Sequence, residues 1–148
     1  MTEEAPPFRI LPQLSAGNRH FWQGGARGEL VFLRCQHCGY YIHPPAPLCP
    51  RDRGRHVSPE AVSGRATVAS YTVNHQQWMP GLEVPYVIAV VEIAEQADLR
   101  LTTNVVGCAP DEVRIGMDVQ VCFEHHPVEG DSDDDVWLPL FRPAGTAP

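Results

Sequence analysis

Two thiols two residues apart, Cys35-Gln36-His37-Cys38, followed directly by Gly39, constrain this chain more than any other feature. The turn they form can bring both sulfurs to one tetrahedral ion. A second half-site is expected roughly ten to twenty residues later. Cys49-Pro50-Arg51-Asp52 stands there, with Asp52 where a fourth thiol would be. Three readings are open at this point. Zinc is held by Cys35, Cys38, Cys49 and the Asp52 carboxylate, a permitted oxygen ligand. Alternatively His37, His43 or His56 replaces Asp52, or the ribbon stands without metal. A thioredoxin-like redox role needs a βαβ unit around the CxxC, and none is patterned here. Pro44, Pro45, Pro47 and Pro50 keep the intervening chain out of helix and central strand.

The flanking segments predict a mainly β protein. Asn18 is a candidate N-cap for a short helix, 19–23, ended by Gly24 and Gly25. Residues 30–34 read as a short strand leading into Cys35. From Gly64 onward, 65–75 alternates, 86–93 reads as a buried strand, and 99–106 alternates again. Residues 119–123 and 136–141 complete the set, with a short helical turn expected at 110–114. Five strands with one brief helical insert suggest a small Greek-key barrel, ahead of a β-sandwich, which needs about seven. The boundaries expected are an N-terminal arm at 1–17, helix and ribbon at 18–62, barrel at 63–143 and a tail at 144–148.

Composition narrows function. The 148 residues carry a formal charge of −7, and the eleven basic residues are all Arg. Without Lys there is no Schiff-base or P-loop chemistry. An acidic protein is a poor phosphate-tracking nucleic-acid binder. No apolar run reaches the roughly 20 residues a bilayer requires. The acidic, Pro-rich start lacks a secretory pattern, and the five cysteines are an odd number, so a reducing cytoplasm is expected. Cys108 and Cys122 are read as small core residues.

No independent active site can be assembled from the residues. Ser63, Ser70 and Thr72 lack a nucleophile-elbow pattern. His75 could pair with Glu83 across a loop, but a lone His at a strand end is more often a surface residue. His125 and His126 would point to opposite faces of a strand. The acidic run from Glu124 to Asp135 is read as a solvated, mobile hairpin loop.

The order of motifs is more specific. Phe21-Trp22 precedes Cys35-x-x-Cys38-Gly39, then Pro44-Pro45, Cys49-Pro50 and Gly64-x-x-x-Val68-x-Ser70-Tyr71-Thr72-Val73. Pro85-Tyr86, Val91-Glu92, Leu101-x-x-Asn104-Val105-Val106-Gly107, Arg114-Ile115-Gly116-Met117 and Phe141-Arg142-Pro143 follow. This resembles, over about residues 18–143, the zinc-ribbon plus OB-fold family of acyl-CoA-associated proteins catalogued as domain of unknown function 35. Asp52 departs from the family's fourth Cys. The resemblance implies a rubredoxin-like zinc ribbon with structural zinc, followed by a five-stranded OB-fold barrel. It also implies a non-catalytic partner of thiolase-superfamily enzymes, among them thiolase-like aldolases that shorten steroid side chains on coenzyme A thioesters. The arrangement implied is a heterotetramer around a thiolase-like dimer, with acyl-CoA reached through the partner, and neither nucleic acid nor membrane involved.

Two surfaces are candidates for that work. Arg51, Arg53, Arg55 and Arg65 form a basic stretch that could hold CoA phosphates. Trp78, Met79 and Leu82 lie on a Pro- and Gly-punctuated loop suited to a partner interface, with Phe8, Ile10, Leu11 and Leu14 of the arm as the next place to look. The competing readings are an autonomous acyl-CoA hydrolase or hydratase, and an OB-fold nucleic-acid module.

Overall fold

The computed structural model describes residues 5–130 and 132–145. After the arm, helix α1 (Arg19–Gln23) runs into a 3-10 turn (Gly24–Arg27). A three-stranded antiparallel sheet follows, ordered β2 (Tyr41–Ile42), β1 (Leu30–Cys35), β3 (Val57–Val62). The remaining strands, β4 (Arg65–Asn74), β5 (Tyr86–Ile93), β6 (Arg100–Val105), β7 (Asp118–His126) and β8 (Val136–Pro143), close a barrel in the order β4-β5-β6-β8-β7. That is the mainly β, ribbon-plus-barrel architecture the sequence indicates, and the 3-10 turn Pro110–Glu112 is its helical insert.

Alternation builds the barrel wall. Along β5 every second residue, Val87, Ala89, Val91 and Ile93, is buried, and the residues between are half-exposed. The strand is therefore covered on one face only, not on both. A β-bulge between Val68 and Ser70 lets β4 bend from one partner to the next. Gly64, at φ +81°, sits where an added Cβ would strike the Val121 side chain, so the entry to β4 is built around a missing side chain. The parallel pair Val105–Phe141 closes the barrel.

Three local expectations need correction. Residues 57–62 form β3, which the sequence hides behind Pro59. The strand pairs only with β1 and so lies at the edge of its sheet, where a proline is tolerated. Second, Asn18 makes no side-chain cap. Its Oδ1 accepts from the Ser15 amide at 2.8 Å and its Nδ2 donates to the Gln13 carbonyl at 3.1 Å, so it pins the arm to the helix. Third, β7 runs to His126, and described residues of the acidic segment beyond it are held by hydrogen bonds. Asp135 is buried and accepts from the Val128 amide at 2.9 Å, while Arg19 donates to the Asp133 carbonyl at 2.8 Å.

One core serves both halves. Phe21, Leu30, Phe32 and Tyr41 pack in the same cluster as Val68, Val91, Val119 and Phe141 of the barrel. Gln96, in the β5–β6 turn, accepts from the Tyr41 amide at 2.8 Å and donates to its carbonyl at 3.0 Å. No helix among the described residues is long and apolar enough to cross a membrane.

His43 lies at this junction, its ring 4.9 Å from Phe21 and 5.2 Å from Phe32. Burial, with the nearby His20 adding to it, lowers its pKa from 6.5 to about 4. The neutral form is thus favoured in the fold. Its contribution to stability is complete above the unfolded value of 6.5 and is lost as pH falls toward about 4. His43→Phe, which keeps an aromatic ring, should flatten the stability profile between those pH values by on the order of 2 kcal/mol. Urea unfolding at neutral and mildly acidic pH checks this. Equal slopes for variant and wild type would contradict it.

Candidate metal centre and interaction surface

Two turns of matching geometry face each other at one end of the ribbon. In the first, the Gly39 amide donates to the Cys35 carbonyl at 2.9 Å and the Cys35 amide to the Tyr40 carbonyl at 2.9 Å. In the second, the Arg53 amide donates to the Cys49 carbonyl at 2.9 Å and the Cys49 amide to the Gly54 carbonyl at 3.0 Å. Cys35 thus corresponds to Cys49, Cys38 to Asp52, and Gly39 (φ 79°) to Arg53 (φ 61°). The left-handed position that glycine fills in the first turn is taken by a non-glycine residue in the second.

The donor atoms of Cys35, Cys38, Cys49 and Asp52 all lie within 4.8 Å of one another. Sγ of Cys38 is 3.6 Å from Sγ of Cys49, and Sγ of Cys35 is 3.5 Å from Oδ2 of Asp52. A tetrahedron with Zn–S bonds near 2.3 Å has edges of about 3.8 Å, so the set fits zinc. Cys35 and Cys49 are buried, Cys38 and Asp52 exposed. Four protein donors fill a tetrahedral shell, which is the closed pattern of a structural site.

Electrostatics favour the same set. The Gly54 amide, 2.7 Å from Asp52 Oδ1, and then His37 Nδ1, 2.9 Å from Oδ2, hold the Asp52 carboxyl well below the usual range. The Cys38 amide lowers the Cys35 thiol. Cys38 receives the Tyr40 amide, yet desolvation and the neighbouring Cys35 and Cys49 thiols leave it raised to about 11. A bound dication offsets that crowding, so metal loading releases protons. The histidine alternatives fall elsewhere. His37 bonds to Asp52 as a supporting residue, His43 is packed against Phe21 and Phe32, and His56 is exposed outside the cluster.

The four arginines stand in different local settings. Arg51 lies over the Tyr40 ring at 4.5 Å, and Tyr40 donates to Asp98 at 2.6 Å. Arg55 alone lines the groove of about 590 Å³ between Ser15–Asn18 and the ribbon residues Leu33, Val57 and Pro59. Arg53 occupies the turn described above, and Arg65 opens β4. Trp78 is 71% exposed, its indole Nε1 donating to Asn74 Oδ1 at 3.1 Å, whereas Met79 and Leu82 are half-buried. No hydrogen bond joins His75 to Glu83 among the described residues. Cys108 packs on the barrel core, while Cys122 is half-buried outside it; desolvation pushes both thiols up.

Four contacts, centred on Glu124 and His125, escaped sequence reasoning. Glu124, taken for a loop residue, is held by Arg9 at 3.0 Å and bonds His126 Nε2 at 2.6 Å. His125 stacks on Trp137 at 4.5 Å and bonds Asp135 at 2.8 Å. Spacing two apart on one strand, as for Glu124 and His126, is the only signal the sequence carried for any of them.

Purified protein should carry close to one zinc per chain by elemental analysis. Cys35→Ser should abolish binding and destabilise the chain by several kcal/mol, because metal binding is coupled to folding. His37→Ala, which keeps all four donors, should weaken zinc by about 10- to 100-fold in chelator competition. Metal-free protein melting at the same temperature as the zinc-loaded form would overturn the assignment.

The family comparisons agree with this geometry. Residues 22–58 match the model of the ChsH2 rubredoxin-like zinc ribbon domain, and residues 59–124 match that of the ChsH2 C-terminal OB-fold domain. The chain is 36% identical over 116 residues to a DUF35 domain-containing scaffold protein of Methanocaldococcus jannaschii, covering 77% of this chain and 81% of that one. It is 34% identical over 122 residues to the 3-oxo-4,17-pregnadiene-20-carboxyl-CoA hydratase alpha subunit of Mycobacterium tuberculosis, covering 82% of this chain and 38% of that one. The chain spans about two fifths of the length of the curated hydratase alpha subunits it matches. Among solved structures, the Ltp2-ChsH2(DUF35) aldolase contains a chain that superposes with a TM-score of 0.75 at 36% identity, covering 90% of this chain and 99% of that one. The chain belongs to the DUF35 family of ChsH2-type zinc-ribbon and OB-fold proteins.

Proposed function

We propose that this chain is a non-catalytic accessory subunit that binds and stabilises a thiolase-superfamily enzyme acting on acyl-CoA thioesters. The observation that carries the reading is the match over 99% of the DUF35 chain of a two-component aldolase. The finer assignment is a thiolase-like retro-aldolase of steroid side-chain degradation in the cytoplasm, the chains forming a heterotetramer around the enzyme's dimer. The pregnadiene-carboxyl-CoA name of the mycobacterial relative supports the steroid part.

The chain's own chemistry points the same way. The two His–carboxylate pairs, His125–Asp135 and His126–Glu124, have no Ser, Thr or Cys hydrogen-bonded to them among the described residues. Neither pair therefore forms the nucleophile–base unit that covalent acyl transfer requires. The four zinc donors leave no open position for a substrate or catalytic water. What the chain offers is surface. Trp78 is a preorganised anchor, since Asn74 already satisfies its indole N–H and only apolar ring area is left to bury. Acyl-CoA is reached through the partner, with Arg55 as the guanidinium best placed beside a groove.

The isolated chain should show no turnover of acyl-CoA thioesters. Co-expressed with the Ltp2 component of the matched aldolase, or with another thiolase-superfamily enzyme, it should co-purify as a stable complex. Trp78→Ala should weaken association by roughly thirtyfold, the loss of about 2 kcal/mol typical of an aromatic anchor. Turnover by the chain alone, abolished by a single substitution, would refute the reading.

A further inference from the structure

We propose that residues 5–14 of the arm and the loop 76–84 form one composite docking surface, and that the subunit it fits presents an apolar hollow with a basic rim. This rests on the accessory-subunit reading and specifies its interface.

The arm is held with inverted polarity. Its cation points inward: Arg9 Nε donates to Glu124 Oε1 at 3.0 Å, and its Nη1 donates to Asn104 Oδ1 at 2.9 Å. Both receivers are fixed. Glu124 is bonded to His126, and Asn104 donates to the Val87 carbonyl at 2.7 Å. The apolar residues on either side of Arg9 point outward, Phe8 being 51% exposed and Ile10 76%. An arm serving only to cover the barrel would bury Phe8 and Ile10 and leave the guanidinium in water. Desolvating an ion pair to present two apolar side chains makes physical sense when something else covers them.

The arm and the loop adjoin. A Cβ placed on Gly81 would lie 3.7 Å from Phe8 Cβ, and a cavity of about 280 Å³ is lined jointly by Phe8, Arg9, Gly81, Leu82 and Tyr86. Val84, 37% exposed, continues the apolar surface along the loop that carries Trp78.

Charge selects the occupant. Arg9 is neutralised internally by Glu124, which leaves Glu83 exposed and without an ion pair among the described residues. The chain carries −7 overall. A second copy would oppose like charges, whereas a partner with Arg or Lys around an apolar hollow is attracted.

The test measures affinity of the Ltp2-type subunit for wild type, Trp78→Ala, Arg9→Gln and the double variant Phe8→Ala/Ile10→Ala, at low and high salt, with hydrogen exchange of the free chains. The double variant, which touches only exposed side chains, should bind at least tenfold more weakly with unchanged melting. Arg9→Gln should raise exchange across 5–14 in the free chain and weaken binding about tenfold. Wild-type association should slow as salt rises. Full-strength binding by the double variant, with Trp78→Ala still impaired, overturns the composite surface and leaves the accessory reading standing. No binding by wild type overturns both. A wild-type homodimer in light scattering, lost in the double variant, overturns the choice of occupant.

Discussion

Everything else in this molecule depends on a core that does not stop at the junction between ribbon and barrel. Phe32 from β1 and Phe141 from β8 are both fully buried and belong to one apolar cluster, which also includes Phe21 and Tyr41. Fully burying side chains of this size contributes roughly 1.5–3 kcal/mol each, enough to make the two parts cooperate instead of hinging. Polar contacts then fix the register. Gln96 reads both backbone groups of Tyr41, and Tyr40 reaches Asp98 while stacking under Arg51. The metal turns hang from the far end of the same strand, since Cys35 is the last residue of β1. Order at the zinc site and order in the barrel are thus coupled through a six-residue strand.

That coupling bears on how a small accessory chain could work as proposed. A scaffold gains affinity when its contact residues are held in the bound arrangement before the partner arrives. Here Asn74 positions the Trp78 indole, and a Glu124–Asn104 pair on the barrel wall positions the arm through Arg9. In the proposed complex, ordering these groups within the free chain would lower the conformational cost of association.

Much of this was legible in the sequence. The barrel strands announced themselves by period-two alternation, as in Ala66 and Val68 of β4 and Leu101, Thr103 and Val105 of β6. The Cys35–Cys38 turn and Cys49-Pro50 located the metal turns, and the structure shows why Asp52 can stand for a thiol: it takes the Gly54 amide as Cys38 takes that of Tyr40. What stayed hidden depends on distant partners. Pro59 disguises β3 because only tertiary placement makes it an edge. The acidic run looked solvated because Arg9 and Arg19, its anchors, lie over a hundred positions away in sequence. Asn18 looked like a cap because composition cannot say which way a side chain turns.

On the proposed reading, this chain stabilises an enzyme whose chemistry lies in another chain. Melting of the thiolase-like partner followed by calorimetry at increasing concentrations of this zinc-loaded chain tests it most directly. Linkage predicts that the partner's transition rises steadily with concentration once the dissociation constant is exceeded, by about 2.7 kcal/mol of added stability at a hundredfold excess over it. A partner transition that stays fixed across the titration, with both chains melting independently, would contradict the claim.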